Sequence, residues 1–133
     1  MTDDTKYSIL FVDDDEFLVD MYSLKFSQAG HRIQAVRSAE EALERLHQEG
    51  YTTDAVVFDL VMPKIDGFEL LTEIQKQHLA PQAALIVLSN QGEAESLAKA
   101  KALGATGHII KANAIPSEVL RMVEDIIRAR RSA

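Results

Sequence analysis

Four short apolar runs in this chain each stop at a polar residue, and that pattern leaves few folds open. Ser8-Ile9-Leu10-Phe11-Val12 runs into Asp13-Asp14-Asp15, and Ala55-Val56-Val57-Phe58 runs into Asp59. Ala84-Leu85-Ile86-Val87-Leu88 runs into Ser89, and His108-Ile109-Ile110 runs into Lys111. Short runs this rich in Val, Ile, Leu and Phe read as strands buried on both faces of a parallel sheet. In open α/β sheets, chemistry gathers in the crevice at the carboxyl ends of the strands. One edge would then collect several carboxylates, a hydroxyl and an ammonium. Such a set can hold a divalent metal, a phosphoryl group and an acceptor oxygen at once.

A fifth run, 31–36, alternates polar and apolar residues and suits a sheet edge. Helical spacing fills the intervals. Residues 16–29 place Leu18, Met21, Tyr22 and Leu24 on a helix that Gly30 stops. Ser38-Ala39-Glu40-Glu41 is a capping box ahead of Ala39, Ala42, Leu43 and Leu46, with Gly50 closing that helix. Asp66-Gly67 opens a third helix carrying Leu70, Leu71 and Ile74, and 91–103 forms an Ala-rich fourth that ends at Gly104. Pro116 sits at the first position of a fifth, whose Val119, Leu120, Met122, Val123, Ile126 and Ile127 spread over more arc than one sheet face requires. That helix reads either as a simply well-buried helix or as a core face with an apolar margin for a partner. Strands and helices alternate five times, which predicts a parallel sheet, right-handed crossovers and helices on both faces.

At 133 residues, 47% hydrophobic and 26% charged, the chain suits one globular domain. Residues 1–7 form a short N-terminal extension and 128–133 a basic tail, which reads first as cations complementing a helix C-terminus and alternatively as the start of a linker to an output domain. The net charge of −7 argues against a nucleic-acid surface, which needs a basic face. With no cysteine there is no disulfide frame and no thiolate ligand or nucleophile. The acidic start is no secretory signal and no apolar run reaches a membrane-spanning length, so the expected location is cytoplasmic.

The polar strand ends divide the work. Asp13, Asp14 and Asp15 repel one another when ionised and call for a cation, while Asp15 is placed to cap the following helix. A few hard oxygen ligands suit Mg²⁺, which keeps several waters and often bridges to phosphate. Asp59 precedes a loop stiffened by Pro63 and turned by Asp66-Gly67. A carboxylate beside a metal can attack phosphorus, because the metal screens the repulsion between anions. Ser89 and Lys111 then contact the remaining phosphoryl oxygens.

In order and spacing these motifs resemble the receiver domain of two-component response regulators over nearly the whole chain. They are 9–15, 59–67, Ser89 and 104–111. The resemblance implies a flavodoxin-like (βα)5 three-layer sandwich with strand order 2-1-3-4-5. It makes Asp59 the acceptor of a phosphoryl group from the phosphohistidine of a sensor histidine kinase or phosphotransfer protein. It gives Asp14, Asp59 and the Val61 carbonyl as direct Mg²⁺ ligands, with Asp13 acting through water. Ser89 becomes the switch hydroxyl and Lys111 the phosphoryl contact. The surface of the fourth helix, fifth strand and fifth helix becomes the readout, toward a downstream protein or a second copy.

Three positions depart from the family pattern. Ala112 stands where a proline with a cis bond is usual, and a cis bond before a non-proline costs about 2.5–4 kcal/mol, so this turn is trans or strained. His108 stands where Tyr or Phe usually rotates inward, and reads either as a switch or as a half-exposed strand histidine. Asn90 replaces a small residue and narrows access to the phosphoryl group. Adduct lifetime should be tuned by Val61, which offers an attacking water no hydrogen bond, and by Gln91, which can position one. His31, His47 and His78 show no ligand spacing and read as surface or packing residues. Two other functions compete with the switch. A phosphatase of the haloacid-dehalogenase type needs an acid two places after its nucleophile, where this chain has Val61. A degenerate receiver that only binds partners would not need the intact acidic, hydroxyl and ammonium set.

Overall fold

A computed structural model describes residues 6–90, 94–111 and 115–132. Strands β1 (Ser8–Val12), β2 (Arg32–Val36), β3 (Ala55–Phe58), β4 (Ala84–Ser89) and β5 (Gly107–Ile110) alternate with five helices. The helices are α1 (Glu16–Gln28), α2 (Ala39–His47), α3 (Gly67–Lys76), α4 (Ala94–Ala102) and α5 (Pro116–Ser132). All strand pairs are parallel and the order is β2-β1-β3-β4-β5, as the alternating pattern and the family resemblance predict. The strand with alternating polarity, β2, is at an edge, where one face of its backbone needs no apolar cover.

Side chains alternate across the central strands and build two cores. Leu10, Val12, Val56, Phe58, Leu85 and Val87 pack with α2 and α3, while Ile9, Phe11, Val57, Ile86 and Leu88 pack with α1 and α5. Burying large aliphatic and aromatic side chains contributes about 1.5–3 kcal/mol each, which outweighs the weak propensity of any single element. Helix starts follow local chemistry. The Asp15 carboxylate accepts from the Leu18 N–H, the Ser38 hydroxyl from the Glu41 N–H and the Asp66 carboxylate from the Glu69 N–H. Gly30, at φ 93°, takes the left-handed turn that ends α1.

Some boundaries move. In α1 the core is filled by Val19, Tyr22 and Phe26, whereas Leu24 points to solvent at 62% exposure. Tyr22 is buried and Leu18 and Met21 pack against the same core as the spacing predicts; Leu24 alone falls off the face, which is centred on Phe26 and the edge-on ring of Phe11. The β4 run extends through Ser89. The start predicted for α4 at Gln91 falls outside the described residues. The basic tail does more than face a helix end: Arg130 donates to the Pro81 carbonyl at 3.0 Å, and Arg131 pairs with Asp54 and lies over the Tyr7 ring. His31 is buried, accepting from the Tyr7 N–H and bonding Glu124 at 2.8 Å through Nε2, while His47 and His78 are exposed. Among the described residues no helix is long and apolar enough to cross a membrane.

Candidate functional site

The sheet ladder itself places the carboxylates. Val12 is opposite both Val36 and Phe58, and the ladder continues one residue further. The Asp13 N–H donates to the Val36 carbonyl and the Asp59 N–H to the Val12 carbonyl, each at 3.2 Å. Asp13 and Asp59 therefore stand side by side just past the carboxyl ends of neighbouring strands. Lys111 follows β5 and reaches back across β4. Its ammonium lies 2.6 Å from Asp13 Oδ2 and 3.0 Å from Asp59 Oδ2. Ser89, buried, closes β4 between them.

The remaining carboxylate oxygens are tied to backbone. Asp13 Oδ1 accepts from the Asp15 N–H at 3.0 Å and Asp59 Oδ1 from the Val61 N–H at 3.1 Å. Burial raises the Asp13 pKa above its usual value, and the Lys111 and Asp15 donors offset this only in part. For Lys111, burial works to lower the pKa, but the hydrogen bond and charge of Asp13, then Asp59, outweigh it and raise it. The ammonium stays charged while Asp13 is held at a cost.

The loop that follows Asp59 is tightly closed. The Gly67 N–H donates to the Leu60 carbonyl at 3.0 Å, and a Cβ on Gly67 would meet the Asp59 carbonyl oxygen at 2.5 Å and Leu60 Cα at 2.7 Å. Only glycine lets α3 start this close to Asp59. Lys64 adopts φ 66°, a left-handed conformation that costs a non-glycine residue about 1–2 kcal/mol. Val61 projects outward at 71% exposure.

Among the described residues no three acidic or histidine side chains converge as a ready-made cage. Mg²⁺ does not require one, since it is held by one or two carboxylates and keeps waters. Two buried carboxylates against one ammonium, with Asp14 exposed beside them, leave an excess of negative charge on hard oxygen donors. The donor set fits a small divalent cation.

A family profile described as the response regulator receiver domain matches residues 9–124. The chain belongs to this family. This receiver domain is 29% identical over 120 residues to the alkaline phosphatase synthesis transcriptional regulatory protein PhoP of Bacillus subtilis, covering 90% of this chain and 48% of that protein. It is 26% identical over 123 residues to the response regulator SaeR of Staphylococcus aureus, covering 92% of this chain and 52% of that protein. The chain thus spans about half the length of these curated relatives. Among solved structures, the chemotaxis response regulator CheY4 of Vibrio cholerae superposes with a TM-score of 0.82 at 25% identity, over 92% of this chain and 99% of that one.

Of the residues singled out in the sequence, the receiver fold brings Asp13, Asp59 and Lys111 into direct contact, with Ser89 on the strand between. Asp15 caps α1. His108 lies exposed on β5, on the face between α4 and α5. Asn90 lines a recess with Val61, Met62 and Ser89. Gln91 and the Lys111–Ala112 bond lie outside the described residues. Sequence reasoning passed over Phe68, whose ring carries the Lys99 ammonium 4.4 Å from its centroid. A Phe in the first turn of an amphipathic helix gives no signal of its own.

Proposed function

We propose that this receiver domain, a single unit over 1–133, is a phosphorylation-dependent switch whose acceptor is Asp59. The observation that carries the reading is the pair of buried carboxylates, Asp13 and Asp59, converging on the Lys111 ammonium at the carboxyl edge of a parallel sheet. A sensor histidine kinase or phosphotransfer protein presents a phosphohistidine. A carboxylate oxygen of Asp59 forms the new P–O bond as the P–N bond breaks, and the imidazole departs. Asp14, Asp59 and the Val61 carbonyl would hold Mg²⁺, with Asp13 acting through water. When bound, the cation screens the repulsion between carboxylate and phosphoryl oxygens. Lys111 pivots from the carboxylates to the transferred group, a short movement because its Nζ already touches Asp59. The Ser89 hydroxyl takes another phosphoryl oxygen.

The readout is the surface of α4, β5 and α5. An open cavity of about 640 Å³ there, bounded by Leu97, Lys101, His108, Met122 and Ile126, supports docking of a downstream protein or a second copy. With Met122 at 40% exposure, the apolar arc of α5 extends beyond its core face of Val119, Val123 and Ile127. The protein is a phosphoacceptor that catalyses its own modification and its own hydrolysis, acting in the cytoplasm.

Exposure to acetyl phosphate with Mg²⁺, followed by intact-mass measurement and peptide mapping, tests the reading. The expected result is one phosphate on Asp59, lost in Asp59→Asn with the fold retained. Labelling that persists in Asp59→Asn overturns the assignment. Continuous turnover would show a phosphatase, and no adduct would show a binding-only receiver.

A further inference from the structure

The family's usual aromatic residue on the fifth strand is replaced here by His108, exposed to solvent, yet an aromatic ring stands elsewhere between the acceptor loop and α4. Phe68 is the second residue of α3. Its neighbour Gly67 is pressed against the backbone of Asp59 and Leu60, so the position of Phe68 is fixed by the acceptor loop. The ring packs partly buried against the core and also borders two recesses. On one side it bounds a recess of about 440 Å³ shared with Val61, Ser89, Asn90 and Ser96. On the other it bounds a groove of about 520 Å³ with Ile65, Thr72 and Lys99. A half-buried ring that borders two recesses can turn toward either, unlike a side chain enclosed in a close-packed core.

The helix on the far side is weakly held. Among its described residues α4 buries only Ala100, with Leu97 partly covered. An element with so little buried apolar area shifts at low cost, and one added contact can set its position. The Lys99 ammonium over the Phe68 ring is such a contact, joining α4 to α3. Glu69 and Glu73 line the same groove, which keeps the cation on that side.

We propose that Phe68, latched by Lys99, is the element through which the Asp59 loop sets the position of α4. The inference rests on Asp59 being the acceptor. In the unmodified protein the latch holds α4 against α3. When Ser89 and Asn90 close on a phosphoryl group, the recess beside Phe68 changes shape, the ring turns toward it, and Lys99 loses its seat. Phe68 then performs the service that the fifth-strand aromatic gives in other receivers.

Amide hydrogen exchange and amide NMR shifts of α4 test this in Lys99→Met, Phe68→Leu and the double variant, with Lys101→Met as a control on the same helix. In the unmodified protein, Lys99→Met should raise α4 exchange by about two- to fivefold, the factor an exposed cation–π contact supplies. Its α4 signals should move along the line toward their beryllofluoride-bound positions. The double variant should go no further than Phe68→Leu alone, and Lys101→Met should match the wild type. Unchanged α4 exchange in Lys99→Met, or additive effects in the double variant, overturns the latch whether or not Asp59 takes a phosphoryl group. Beryllofluoride that leaves Asp59 unmodified overturns the acceptor reading instead. Adduct at Asp59 with α4 signals unmoved overturns the latch alone.

Discussion

Asp13→Asn should make this protein more stable at neutral pH, although it removes an ion pair. Asp13 and Asp59 share one ammonium, so two carboxylates are held beside each other and repel. Burial adds a desolvation cost, which is why the Asp13 pKa is raised despite its donors. Asparagine keeps the volume and can still accept the Asp15 N–H through its carbonyl oxygen, while Lys111 keeps Asp59 as partner. Each unit by which a folded-state pKa exceeds its unfolded value costs about 1.4 kcal/mol above the titration. Wild-type Asp13 carries this cost and the variant does not, so a gain on the order of 1 kcal/mol, the usual scale of a point substitution, is expected in metal-free buffer, or about 4 °C in melting temperature for a chain of this size.

The pH dependence fixes the cause. The folded carboxyl titrates above the unfolded value near 3.8, so the folded state binds more protons in that window. Wild-type stability therefore falls as pH rises through the window and stays lowered above it, while the variant lacks this loss. Urea melts followed by circular dichroism from pH 4 to 7.5, with a chelator present, should show the advantage of Asp13→Asn growing with pH and then levelling. A variant less stable than wild type at pH 7, or an advantage equally large at pH 4, refutes the argument.

Mg²⁺ at ten times its dissociation constant should add about 1.4 kcal/mol, read as a rise of roughly 5 °C in melting temperature. Asp14→Ala should remove most of that gain while Asp15→Ala, a helix cap, should not, and a melting temperature indifferent to Mg²⁺ would count against the cation site. Gly67→Ala should destabilise by about 1–3 kcal/mol, because its Cβ meets backbone atoms that cannot turn aside; thermal melts at wild-type stability would show the α3 start can retreat. Val61→Asn should shorten the life of the Asp59 adduct by up to about 10²-fold by giving water a hydrogen-bond partner at an exposed position. Equal decay rates in the two proteins would discount that role.

The strands were legible because buried parallel strands leave an unbroken apolar signature, and the cluster of Asp13, Asp59, Ser89 and Lys111 was legible because each run ends on one of these polar residues. Helix starts were legible where a short side chain caps its own backbone, as Asp15, Ser38 and Asp66 do. What escaped depends on partners far apart in sequence. His31 reads as an unremarkable histidine until the fold brings Glu124 to it, 93 residues away. Arg131 reads as tail charge until Asp54 and Tyr7 face it. Leu24 misled because helical spacing constrains the apolar face only to within part of a turn. Phe68 fits the core pattern of α3 well enough to hide its contact with Lys99.

The two ends of the sheet are held in opposite ways. At the amino end polar groups meet complementary partners: Tyr7 N–H with His31, His31 with Glu124, Ser8 N–H with Asp54, Arg131 with Asp54, and Arg130 with the Pro81 carbonyl. These ties anchor α5 and the strand starts, the buried bond from Tyr7 N–H to His31 most firmly and the solvent-exposed arginine contacts least. At the carboxyl end two carboxylates compete for one cation, Lys64 is strained, and Phe17 and Val61 lie open to solvent at 75% and 71% exposure. Charge crowding there is relieved by anything that brings positive charge or rearranges Lys111. An incoming ligand can then gain free energy at that end without loosening the other, because the strands between are buried and close-packed. The sheet acts as a rigid base, and the loops above Asp59, with weakly held α4 beside them, are where a change of charge can become a change of shape.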